Sequence, residues 1–448
     1  MKIVIAGAGE VGFYLAKLFT NAYHDVTIID SKEERLHKVE SAVDVLTING
    51  LPTSISVLHE ANVKRADLFI AVNPAEDQDM NITCTLLAKA LGAKRVIARI
   101  NNNEYLFPYN KEIFLNLGID YLIYPERIAS NEIIKMLHQT GTSEYIDFPG
   151  GKLQLIVAKL EEGAPLIDKT ADFLKSEDNN AIQCKIIAIT RNGNTSIITE
   201  NDEFQINDML YFIADKDHAD NLLLLCGKTN ITVRNLMVLG GSRIGTRVAR
   251  ELEGRTNIKI IENDIDKCSI LAETLPKSLI INGDGRSIDL LVEEEVKNMD
   301  AFVAVTGSSE VNILACMSAK RFGVKKTIAE VENIDYIKFA EDVGIDTVIN
   351  KKIIAASKIF RFTIGSDIQT VKYLSGSDVK VLEFIVKPGS TATKKKIGEL
   401  DISDVMICGI IRGDTSIIAS DDIEIKPYDR VIVFTFSTEI LQIGKYFG

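Results

Sequence analysis

The sequence predicts an α/β chain: two Rossmann-like, doubly wound parallel-sheet domains, each followed by a small α+β domain. Three observations carry this expectation. Residues 1–5 form an apolar, strand-type run that leads straight into Gly7-Ala8-Gly9-Glu10-Val11-Gly12 and then into apolar residues at helical spacing. The same order returns at residues 235–245, where Gly240 stands 233 positions after Gly7. A β-rich segment follows each strand–helix stretch. Self-similarity over so long a period constrains a fold more than any single motif does.

At 448 residues the chain exceeds one compact core, and about three or four domain-sized units are expected. The composition, 46% hydrophobic and 25% charged, is that of a soluble globular protein. A net charge of −12 argues against nucleic acid as a partner, because phosphate-backbone binders need a basic face. A strand and glycine loop begin at residue 2, so no signal peptide is expected. No apolar run reaches the ~20 residues that span a bilayer. The expected location is cytoplasmic, or peripheral to a membrane through a partner. Cysteines 84, 184, 226, 268, 316 and 408 form no CxxC pair and are expected as buried thiols, with no metal site.

In the first copy each loop glycine has a physical task. Gly7 permits the strand-to-helix turn, Gly9 lets backbone approach a pyrophosphate, and Gly12 lets the helix pack closely. A second strand, 24–30, ends in Asp30, about 20 residues past the loop, where a carboxylate can bind ribose hydroxyls and repel a 2′-phosphate. Its alternative is a helix cap shared with Ser31 ahead of a helix at 31–39. Strands follow at 43–48 and 66–72, the latter broken by Asn73-Pro74 at the edge where ligands bind in such sheets. A helix at 81–91 closes at Gly92. Strand 95–100 carries Arg99, either a phosphate or carboxylate clamp or an ordinary salt bridge on the sheet rim. Strand 118–123 and a helix at 128–137 complete a domain of residues 1–125.

The next domain, 140–226, has expected strands at 153–160, 183–190, 196–199 and 209–214, at most a short helix at 168–174, and an Asn192-Gly193 hairpin turn. The second nucleotide-type domain is expected at 232–350 and the second β-rich one at 367–448, with strands at 380–386, 405–411, 415–418 and 430–436. Asn49-Gly50 returns as Asn282-Gly283, Asp67 as Asp300, and residues 117–120 as 343–346. Residues 81–84 match 312–316 with one inserted residue. The second loop differs: Ser242 puts a Cβ where Gly9 has none, and Arg243 replaces Glu10. Glu262 keeps the acid after the second strand, while Glu330 replaces Arg99. The first copy is thus the better NAD-type site. The second is weaker, prefers another adenine nucleotide, or is a remnant.

Catalytic apparatus is not written here. The five histidines (24, 37, 59, 138, 218) all lie in the first half, with His24 and His37 expected on surface elements. No GxSxG, HExxH or paired zinc ligands occur. Glu76, Asp77 and Asp79 read as a solvated acidic loop before a cation site. Lys394-Lys395-Lys396 reads as an exposed loop before a headgroup contact.

The paired GAGEVG, IID, NG and ADLFIAV segments, with their β-rich followers, resemble the RCK (KTN) family, which regulates K+ conductance. The resemblance covers essentially the whole chain. It implies domains that bind NAD or NADH, with ATP or ADP in some members. It also implies a homo-oligomeric tetramer ring below a membrane potassium transporter subunit of the TrkH type. Carried over by position, the cofactor contacts are Gly7, Ala8, Gly9, Glu10 and Val11, with Gly12 from the fingerprint, and then Asp30, Asn73, Pro74 and Arg99. In the second copy they are Gly240, Gly241, Ser242, Arg243, Ile244 and Glu262. The expected role is a non-enzymatic regulatory subunit that turns binding energy into ring geometry through segments 124–137 and 350–362. Competing readings are an NAD-dependent oxidoreductase and a stand-alone nucleotide sensor.

Overall fold

The computed structural model describes residues 1–148, 153–175, 184–199, 201–362, 368–374, 379–400, 402, 405–436 and 440–448. By internal contacts it divides into two compact units: Met1–Ile128 with Lys351–Lys372 and Ser437–Gly444, and the remainder.

The first unit is built on β1 (Lys2–Ala6), α1 (Glu10–Asn21), β2 (Asp25–Asp30), α2 (Glu33–Glu40), β3 (Leu46–Asn49), α3 (Ile55–Glu60), β4 (Leu68–Ala71), α4 (Gln78–Leu91), β5 (Arg95–Arg99), α5 (Pro108–Asn116) and β6 (Tyr121–Ile123). The strands are parallel in the order β3-β2-β1-β4-β5-β6. Ile3 pairs with both Val26 and Leu68, so the order reverses beside β1 and the loop after β1 opens at the switch point. Ile3, Val4, Ile5 and Ala6 are all buried, as strands covered on both faces must be. Helix α6 (Pro125–His138) starts three residues earlier than expected, because proline fits a first helical turn. His24 is buried rather than on the surface, and burial lowers its pKa to about 4.

The second unit holds β7 (Glu144–Asp147), β8 (Leu153–Lys159), β9 (Cys184–Arg191), β10 (Asn194–Ile197), β11 (Met209–Asp215) and α7 (Ala219–Leu225). The stretch 168–174, expected to hold at most a short helix, carries a 3-10 turn at Ala171–Lys175. The second parallel sheet follows with β12 (Asn235–Leu239), α8 (Arg243–Leu252), β13 (Asn257–Glu262), α9 (Ile265–Thr274), β14 (Leu279–Asn282), α10 (Ile288–Glu293), β15 (Ala301–Ala304), α11 (Ser309–Arg321), β16 (Lys326–Glu330), α12 (Asp335–Asp342) and β17 (Thr347–Ile349). Its order, β14-β13-β12-β15-β16-β17, repeats the first. Then come α13 (Lys351–Phe360), β18 (Ile368–Tyr373), β19 (Lys380–Ile385), β20 (Val405–Arg412), β21 (Thr415–Ile418), β22 (Arg430–Thr435) and α14 (Ile440–Phe447). Gln183 and residue 367, which opened two expected segments, lie outside the described residues.

The β-rich sheets have orders β7-β8-β11-β9-β10 and β18-β19-β22-β20-β21, so the repeat extends to topology. It extends to chemistry too. Arg191 holds Asp208 at 2.7 Å, and Arg412 holds Asp429 at 2.7 Å. The two sheets share one core that includes Leu155, Val157 and Ile213 from the first and Val381, Ile432 and Phe434 from the second. Cys184 is only half-buried, against expectation, whereas the other five thiols are buried.

Candidate first glycine-loop site

The loop after β1 is built by glycines that meet different neighbours. Gly7 sits at φ +108°, and a Cβ there would lie 2.8 Å from the Asn73 nitrogen. Both the left-handed backbone and the close approach demand glycine. A Cβ on Gly12 would fall 1.9 Å from the Gly7 carbonyl oxygen, so α1 packs directly onto the loop. A Cβ on Gly9 would meet nothing within 4 Å. Gly9 is the N-cap of α1 and offers no side-chain acceptor to the first-turn N–H groups, which keeps them available to an anion.

Asp30 braces this loop from below. It is 3% exposed. One carboxylate oxygen accepts from the Ala8 N–H at 2.7 Å, and the other from the Lys32 N–H at 2.8 Å. Helix α2 starts at Glu33 with Lys32 as N-cap, so the expected cap shared by Asp30 and Ser31 is replaced by a turn closed on Lys32. Each carboxylate oxygen has a further lone pair, so a ribose hydroxyl remains within its capacity.

Asn73 and Pro74 end the β4 edge, as expected. The Asn73 backbone N–H and side-chain amide both donate to Asn81 at 3.0 Å, and Asn81 donates back to the Asn73 carbonyl at 3.3 Å. Asn81 is fully buried in α4. It fixes the strand end, a role that sequence reasoning missed although a buried-face asparagine in an apolar helix is a visible signal. Arg99 donates to Glu126 at 3.1 Å, with side chains 11% and 9% exposed. Of the two expected readings, the structure shows the salt bridge, with both side chains largely buried at the end of β5.

The second loop keeps the frame and changes the lining. Gly240 sits at φ +102°, and a Cβ on Gly245 would lie 2.2 Å from the Gly240 oxygen. Glu262 accepts from the Gly241 N–H at 2.8 Å and from the Asp264 N–H at 3.0 Å, reproducing the Asp30 brace. Ser242, however, caps α8 by accepting from the Gly245 N–H at 3.3 Å. Leu271 crowds Gly241, Ile244 is buried, and Arg243 is exposed. Thr306 takes the place of Asn73 and is held by Asn312. Asn312 also donates to the Glu330 carbonyl at 2.8 Å. Helix α11 is continuous, so the expected insertion between Asn312 and Cys316 does not exist. The asparagines correspond, but Cys84 and Cys316 do not.

Among the described residues no group of three or more His, Cys, Asp or Glu is placed to hold a metal ion, and no helix is long and apolar enough to cross a membrane.

The TrkA-N domain family matches residues 3–125 and 236–351, and the TrkA-C domain family matches residues 381–448. A Trk system potassium uptake protein TrkA homolog of Archaeoglobus fulgidus is 33% identical over 451 residues, covering 100% of both chains. The Trk system potassium uptake protein TrkA of Haemophilus influenzae is 29% identical over 443 residues, covering 97% of this chain and 95% of its own. Among solved structures, the GsuK RCK domain superposes at TM-score 0.59 with 16% identity, over 99% of this chain and 94% of that one. A GsuK channel bound to NAD superposes at TM-score 0.59 with 16% identity, over 100% and 78%. These two likenesses establish the RCK fold. With two TrkA-N segments, one TrkA-C segment and a full-length relative at 33% identity, the chain belongs to the TrkA family of Trk-system potassium uptake proteins.

Proposed function

We propose that the chain is the nucleotide-binding regulatory subunit of a Trk-type potassium uptake system. It gates a membrane K+ transporter subunit of the TrkH type and catalyses no reaction of its own. One observation carries the reading: a tandem TrkA-family chain keeps, in its first copy, an uncapped helix start at an open Gly9. A buried carboxylate stands beneath it. Those features fit a dinucleotide, and the GsuK channel bound to NAD shares the fold.

The backbone of Gly7, Ala8, Gly9, Glu10, Val11 and Gly12 would cradle the pyrophosphate of NAD or NADH, with Asp30 accepting from ribose and Asn73 and Pro74 forming the rim. Arg99 shapes this end of the sheet through Glu126. The second loop, Gly240 to Ile244 with Glu262, is the weaker site, because Ser242 occupies a helix-start donor and Leu271 fills the space at Gly241. A GsuK structure bound to ADP makes ATP and ADP the alternatives to test there. When bound, the nucleotide supplies charge and hydrogen-bonding groups only. The four functional segments are 1–125, 140–226, 232–350 and 367–448, with α6 and α13 as the connecting helices. The chain works as a tetramer ring at the cytoplasmic face of the membrane.

A ligand shifts such a ring only by its differential affinity for two arrangements, typically ~1–3 kcal/mol per site. The test is titration of the full chain with NAD+, NADH, ATP and ADP, followed by thermal unfolding and K+ flux through the partner transporter. Asp30→Ala is expected to abolish the NADH-induced rise in unfolding temperature, while Glu262→Ala leaves it in place. A chain whose stability and effect on K+ flux respond to none of the four nucleotides sinks the proposal. Turnover of NADH in the absence of the transporter would favour an oxidoreductase instead.

A further inference from the structure

We propose that Lys352, on the helix after the second nucleotide fold, is a phosphate-binding residue of the first glycine-loop site. There it exchanges Glu10 for the phosphates of the bound nucleotide. The inference rests on the nucleotide reading above and deepens it.

Residues 351–372 belong to the first unit, and within it α13 packs along α1. Two contacts fix the direction. Lys352 forms an ion pair with Glu10, the first residue of α1. Further along, Phe360 stacks on Phe19 with centroids 5.6 Å apart and rings 14° from parallel. Residue numbers rise together along both helices, so the helices run parallel with their N-termini side by side. Each N-terminus carries about half a positive charge. Lys352 adds a full charge at the same place, and its side chain is only 7% exposed.

A buried ammonium requires an anion. Glu10 serves, and its side chain is 66% exposed. One partner is therefore held by packing, while the other can turn into water at little cost. The first-turn donors of α1, free of any side-chain cap, begin at Glu10 itself. A nucleotide diphosphate on those donors brings two negative charges to the ground that the single Glu10 carboxylate holds. Lysine suits that task as a compact point charge with three donors.

The repeat supports the assignment through its signs. The loop residue Glu10 is Arg243 in the second copy. Lys352, second residue of α13, corresponds to Glu126, second residue of α6. The second loop carries its own cation; the first loop carries an acid and receives its cation from 342 residues further along the chain.

The experiment is a binding titration of the full chain with NADH, and with adenosine as a phosphate-free control. Lys352→Met is expected to weaken NADH by about tenfold or more and to leave adenosine unchanged, with Lys352→Arg retaining most of the affinity. Glu10→Gln is expected to act in the opposite direction and tighten NADH a few-fold, because it removes the competing anion. If Lys352→Met fails to fold, the sign of the Glu10→Gln effect decides. Unchanged NADH affinity in Lys352→Met, or weakening in Glu10→Gln, overturns the role of Lys352 while leaving the site intact. A wild-type chain that binds no NADH overturns the nucleotide reading itself.

Discussion

Gly9 and Gly12 lie in the same loop, and the structure assigns them different penalties. At Gly12 a methyl group would enter the Gly7 carbonyl, which is backbone and cannot rotate away. Gly12→Ala is therefore expected to cost ~1–3 kcal/mol or more through overpacking, read as a lower urea midpoint. At Gly9 a methyl group meets only open space. Gly9→Ala should unfold within ~0.5 kcal/mol of wild type yet weaken NADH binding, because the added Cβ stands where phosphate approaches. Equal stability losses in the two variants would contradict this division. Asp30 shows how a motif can be right in position and incomplete in physics. Its spacing from the loop was legible. That its oxygens brace Ala8 and Lys32 was not, because backbone donors leave no mark in a sequence.

Strand β16 opens with Lys326, a fully buried lysine whose ammonium donates to the Thr142 carbonyl and the Thr347 hydroxyl. Burial pushes its pKa down from 10.5 to about 7, with Lys228 and Lys320 pushing the same way and Asp346 opposing. The unfolded chain thus binds more protons than the folded one between pH 7 and pH 10.5. Through this group, stability is expected to rise with pH across that window and to be lowest below it. Urea midpoints measured from pH 7 to pH 10 should rise in the wild type relative to those of Lys326→Met; a difference that stays constant across that window would overturn the assignment. At this scale legibility followed periodicity. β1 and β4 are apolar runs, β2 and β5 have apolar centres between charged ends, and all four were readable as strands. Helices α3 and α5 were missed because Ile55, Tyr109, Ile113 and Leu115 are exposed and break the amphipathic pattern. Lys352 was missed because its partner, Glu10, stands at the other end of the chain.

Across the whole molecule, the feature least visible in the sequence is the single core shared by the two β-rich sheets. Read in order, residues 144–225 and 380–436 look like two small domains with one strand pattern. Each sheet nevertheless buries one face against the other, with Leu153, Leu155 and Tyr211 from the first meeting Val381, Cys408 and Phe434 from the second. Phe434 is fully buried, and its ring stands edge-on to Tyr211 at 5.8 Å. Gly409 marks how closely the sheets approach, since a Cβ there would lie 2.4 Å from the Leu153 side chain. Separate cores would let one sheet lose a large side chain while the other kept its stability. A shared core forces both to lose together. Phe434→Ala should therefore cost ~3–5 kcal/mol and lower amide hydrogen-exchange protection in β8 and β11 as well as in β19 and β22. Loss of protection confined to β19 and β22 would mean that the two modules unfold independently. In that case a signal arising in one nucleotide fold could not pass through the β-rich pair as one rigid body.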